Sequence, residues 1–129
     1  MIPEELNGAT LAYLGDAVLE IMVREKVIES GVTDVGRLNE MARTFVRATE
    51  QSNAMNNIID LLDDEETAFF KRGRNSKGHT PKSASAVEYR RATGMESLFA
   101  FLYMKGRMDR LSYLFEEAYK DHFGGLLDK

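Results

Sequence analysis

Three carboxylates stand in stretches that would otherwise be apolar helix. Residues 9–23 carry only two charges, Asp16 and Glu20, and residues 92–104 carry only one acid, Glu96. A carboxylate withdrawn from water without a partner costs several kcal/mol or takes up a proton. Acids kept in such places usually face one another across a metal ion or meet a buried base. Asp16 and Glu20 are four residues apart and share a helical face, as do Thr93 and Glu96 at three apart. Glu20 is expected on the solvent side. Asp16 follows Gly15 and sits among Leu14, Ala17 and Val18, so it is expected nearer the interior. Glu96 either joins such a site or forms a structural ion pair with Arg43, Arg90 or Arg91.

Composition narrows the chemistry. Cysteine is absent and only two His occur, which removes thiolate sites and argues against an imidazole-rich zinc site. A bound metal would rest on oxygen ligands, which points to Mg²⁺ or Mn²⁺. The 129 residues, 43% hydrophobic and 29% charged, suit one soluble domain. No apolar run reaches membrane-spanning length and MIPEELNG has no leader pattern, so a cytoplasmic protein is expected. The net charge of −4 conceals an asymmetry. Within 71–91, Lys71, Arg72, Arg74, Lys77, Lys82, Arg90 and Arg91 are opposed by Glu88 alone. Such a stripe on an acidic protein is either a polyanion-binding face or a solvated charged loop.

The elements that must position these groups are helical, since no segment alternates with a strand's period. Asn7 is expected to cap a first helix running to about Ser30 and stopped by Gly31. Gly8, Ala12 and Gly15 give this helix a small edge that admits close approach. Thr33 or Asp34 caps a second helix through Met41 and Ala42, and a third spans about Val46 to Leu62. Asp63, Asp64, Glu65 and Glu66 open a fourth, to roughly Arg72, complementing its dipole. Residues 73–83 read as a flexible basic loop. Ser83 or Ser85 begins a fifth helix reaching Lys105, Gly106 breaks it, and a sixth covers about 108–122. The tail, 124–129, is expected to fray. The expectation is one all-α domain of about six helices over residues 1–129.

LAYLGDAVLE at 11–20 resembles the signature decapeptide of the ribonuclease III family, and MESLFAFLY at 95–103 resembles that family's second acidic helix. The short length, KRGRN at 71–75 and TPK at 80–82 resemble the mini-ribonuclease III branch, a nuclease domain without a double-stranded-RNA-binding domain. The resemblance implies a Mg²⁺-dependent endoribonuclease, with Mn²⁺ a substitute, that cuts double-stranded RNA to leave 5′-phosphate and 3′-hydroxyl ends. It casts Asp16 and Glu96 as catalytic metal ligands, with Glu20 and Thr93 supporting them from behind. Two acids of the larger enzymes are replaced here, by Ala12 and Thr93.

On that reading Lys71, Arg72, Arg74, Lys77 and Lys82 bridge RNA phosphates, while Asn75, Ser76 and Thr80 reach sugar hydroxyls. His79 either contacts RNA or is merely solvated. The resemblance further implies a homodimer, joined through the small edge of the first helix with Tyr13, Leu14, Met22, Phe99 and Tyr103, and maturation of 23S ribosomal RNA precursor ends. The alternative is a non-catalytic RNA-binding or ribonucleoprotein module, favoured by the two lost acids and opposed by the two retained. A helical nucleotide pyrophosphohydrolase would need an EExxE-like cluster on an apolar face, and the sequence has none.

Overall fold

The computed structural model describes residues 2–76 and 85–127, with side chains through residue 124. Seven α-helices and two 3₁₀ turns make up the regular structure of the described residues, without a strand. The helices are α1 (Gly8–Ile28), α2 (Val35–Val46), α3 (Ala48–Ile58), α4 (Asp64–Arg74), α5 (Ala86–Met104), α6 (Met108–Ala118) and α7 (Lys120–Leu127).

Local chemistry explains the boundaries. Asn7 accepts from the Thr10 amide at 2.8 Å and starts α1, and Asp34 accepts from the Arg37 amide to start α2. Asp63 with Glu66, and Ser85 with Glu88, form reciprocal capping boxes at α4 and α5. Gly31 and Gly106, at φ +89° and +69°, take the left-handed conformation that ends α1 and α5.

Four boundaries differ from the sequence reading. Helix α2 continues past Ala42 to Val46 because Phe45, fully buried, anchors its last turn. The third helix ends at Ile58 and tightens into a 3₁₀ turn at Ile59–Leu61. Helix α4 runs on to Arg74, into the expected loop, because Gly73 lies flat against α5. The sixth helix stops at Ala118, and α7 carries helix through Leu127 in place of a frayed tail from 124.

Helix α5 is the centre. Met95 and Leu98 through Leu102 are fully buried, so these turns are enclosed on nearly every side. It packs against α1, α3, α4 and α6. Gly73 and Gly94 let α4 and α5 touch backbone to side chain, and Ser97 Oγ donates across the seam to the Phe69 carbonyl at 2.9 Å. The small edge of α1 is likewise consumed within the chain. Gly8 lies on the Arg72 carbonyl and Gly15 on the Glu96 carbonyl. That edge, with the fully buried Phe99, is therefore core rather than a surface for a partner. Tyr13 and Tyr103 remain exposed, at 85% and 50%. No described helix is long and apolar enough to cross a membrane.

Candidate active site

The close crossing of α1 over α5 places the acids. Because Gly15 rests on the Glu96 backbone, the next residue, Asp16, projects beside the Glu96 side chain. Asp16 is exposed, not interior. Gly15 takes the buried position, and one residue further around the helix points to the rim. Asp16 and Glu96 line one open concavity of about 230 Å³ with Ala9, Ala12, Tyr13, Ser76, Tyr89 and Thr93.

Glu96 is the more enclosed of the two. Burial, and then the neighbouring Asp16 carboxyl, push its pKa up to about 9, opposed in part by the Gln51 amide. The structural ion pair does not form: among the described residues neither Asp16 nor Glu96 makes a salt bridge, and Arg91 donates to Ser52 Oγ at 2.9 Å instead. Gln51, on α3, is a functional candidate that sequence reading missed. Its Nε2 donates to the Val46 carbonyl at 2.7 Å, and its buried Oε1 has no partner among the described residues. A polar residue on the stripe shared with Ala54, Met55 and Ile58 was the available signal.

These oxygens fit a hard divalent cation. Two carboxylates meet with no described cationic side chain upon them, and Mg²⁺ needs only one or two protein carboxylates. No described group unites three acidic or imidazole side chains, so any ion would keep most of its waters. Thr93 lines the concavity and turns its hydroxyl back to the Tyr89 carbonyl at 2.9 Å. Glu20 does not line it and pairs with Arg24 at 3.3 Å.

The basic segment divides into two kinds of residue. Arg72 works inside the fold, where its Nη1 donates to the Pro3, Glu4 and Leu6 carbonyls at 3.3, 3.1 and 3.0 Å. Lys71 and Asn75 are exposed, and half-buried Arg74 lies over the Phe70 ring. Ser76, the next residue, lines the acidic concavity, so the end of α4 adjoins the site. Lys77, His79, Thr80 and Lys82 lie outside the described residues.

The acidic quartet proves more than a dipole complement. Glu66 is 1% exposed and takes a two-pronged bond from Arg110, both contacts at 2.8 Å. This pair sits apart from the concavity.

Comparison with known proteins gives a consistent answer. The family model described as "Ribonuclease III domain" matches residues 9–107. A protein named Mini-ribonuclease 3 from Desulfitobacterium hafniense (strain Y51) is 40% identical over 98% of this chain and 79% of its own length. Another of that name, from Symbiobacterium thermophilum, is 42% identical over 90% of each chain. A crystal structure of a protein from Fusobacterium nucleatum superposes with a TM-score of 0.83 at 29% identity, covering 90% of this chain and 95% of that one.

Proposed function

This chain belongs to the ribonuclease III family, and from that membership we propose that it is a Mg²⁺-dependent endoribonuclease acting on double-stranded RNA. The observation that carries the proposal is the pair Asp16 and Glu96, which share one open concavity without a counter-cation among the described residues. Asp16 and Glu96 are the metal ligands, with Mn²⁺ a substitute for Mg²⁺. When bound, such an ion activates the attacking water and neutralises charge on the scissile phosphate.

The chain's own groups do the rest. A cation held there would need Glu96 as its carboxylate, so the proton that Glu96 holds would have to leave. Ala12 and Thr93, where the larger enzymes have acids, face the same concavity with small or inward-turned side chains and leave it open. Thr93 shapes the wall; Glu20, paired with Arg24, holds the outer turn of α1. Lys71, Arg74 and Asn75 meet RNA phosphates and sugars beside the site, and Lys77, Thr80 and Lys82 extend that grip by sequence. Arg72 serves it indirectly by holding the end of α4. Shape recognition of A-form RNA needs little more than such backbone contacts. The products are 5′-phosphate and 3′-hydroxyl ends, the substrate is a 23S ribosomal RNA precursor, and the working form is a cytoplasmic homodimer. These details rest on the family resemblance alone.

The test is cleavage of a long RNA duplex with Mg²⁺ by the parent, Asp16→Asn and Glu96→Gln. The parent should cut and both variants should not, while all three bind the duplex. Binding by the parent without cutting in either Mg²⁺ or Mn²⁺ would leave only a binding module.

A further inference from the structure

A second concavity, of about 290 Å³, shares no described lining residue with the acidic one. It lies where α3 and its 3₁₀ extension meet the end of α4 and the start of α5. Arg74, Arg90 and Arg91 converge on it with Asn56 and Asn75, and among the described residues no acid lines it. Two of the guanidinium groups are held in place: Arg74 Nε donates to Asn75 Oδ1 at 3.2 Å, and Arg91 donates to Ser52 Oγ at 2.9 Å. Elsewhere Arg24, Arg107 and Arg110 each pair with a glutamate. Among the described residues, none of Arg74, Arg90 and Arg91 does.

Three like charges around one hollow repel one another, which an entering anion relieves, and guanidinium forks suit phosphate oxygens. The hollow also has an apolar wall, since Ile59 and Val87 are 40% and 60% exposed. A phosphate on a duplex ridge brings no base with it, because the bases are stacked inside. An unpaired nucleotide brings both parts.

We infer that this hollow binds one unpaired nucleotide, its phosphate on Arg74 and Arg90 and its base against Ile59 and Val87. The ligand is either a free nucleotide or an unstacked residue of an RNA chain, which share that chemistry. The inference uses neither the metal nor Asp16 and Glu96; only the RNA arm of its test rests on the nuclease reading.

The test titrates the full chain with AMP and with inorganic phosphate, in chelator and low salt, following heat and backbone amide shifts. AMP should saturate below millimolar concentration and bind about tenfold more tightly than phosphate, the preference expected when one face of a base covers the apolar surface of Ile59 and Val87. Arg90→Ala, at an exposed position, should weaken AMP about tenfold at an unchanged melting temperature. Val87→Asp should erase the preference for AMP over phosphate, and Asp16→Asn should leave AMP binding intact. A duplex with one unpaired 3′ nucleotide that binds more tightly than its blunt counterpart, with AMP removing only the difference, identifies the ligand as RNA. Equal binding of the two duplexes identifies it as the free nucleotide. The inference is overturned if the parent shows no saturable AMP binding, if Arg90→Ala and Val87→Asp bind like the parent, or if the shifts centre on Asp16.

Discussion

Gly15 of α1 rests directly on the backbone carbonyl of Glu96 in α5, leaving no room for a β-carbon. The residue that weakens a helix by its own propensity is the one that lets the two acids meet. Gly15→Ala should therefore cost about 2–3 kcal/mol, more than the helix-propensity gain can offset. It should also lower Mg²⁺ affinity by separating Asp16 from Glu96. Denaturant melts and a metal titration would check both effects, and a neutral substitution would show that the crossing is loose.

Glu96 makes stability depend on pH. Its pKa of about 9 lies above the ordinary 4.5, so the folded chain keeps a proton that the unfolded chain releases across that interval. Metal-free stability should fall by several kcal/mol as pH rises from about 5 to about 9, because each tenfold difference in proton affinity is worth about 1.4 kcal/mol. Glu96→Gln should flatten the profile. Mg²⁺ should stabilise the parent more at about pH 8.5 than at about pH 6, because fewer protons must leave. Melting curves across pH, with and without Mg²⁺, measure this.

Glu66 gives the opposite slope. Hydrogen bonds from Arg110 hold its carboxyl below the usual carboxylate range. Its contribution is full above that range and disappears as acid protonates it. Arg110→Ala leaves a buried, uncompensated charge and should destabilise the fold by about 2–4 kcal/mol at neutral pH. The deficit against the parent should shrink as pH falls through the folded pKa of Glu66, which calorimetry at several pH values would detect.

Arg72 and Lys71 are neighbours with different duties. Arg72→Ala should lower the melting temperature, since three carbonyls of the N-terminal segment lose their donor. Lys71→Ala should leave melting unchanged while weakening duplex binding at every sequence and reducing the salt slope by about one. Filter binding over a salt series, beside thermal melts, separates the two.

Much of this was readable from residue order. Asn7, Asp34 and Ser85 cap where their types and positions suggest, and Gly31 and Gly106 end helices as expected. The apolar surroundings of Asp16 and Glu96 singled out two acids that the fold brings to one concavity. What stayed hidden depends on rotation and on contacts distant in sequence. Whether Asp16 or Gly15 faces inward depends on where α5 passes, and periodicity cannot tell. Arg72 reads as one of a run of cations; only the folded N-terminal segment shows that it serves carbonyls. Gln51 looks like an ordinary polar helix residue until α3 lies beside α5.

The glycine crossings carry a consequence for anyone wishing to alter this protein. Where backbone meets backbone there is no compressible layer of side chains, so the spacing of α1 from α4 and from α5 cannot be adjusted by swapping core residues of different size. Under the proposed metal-ligand role of Asp16 and Glu96, ion preference is retuned at the tips, by lengthening or shortening the groups at 16 and 96 or by filling the hollow from 12 and 93, while the frame beneath them is left alone.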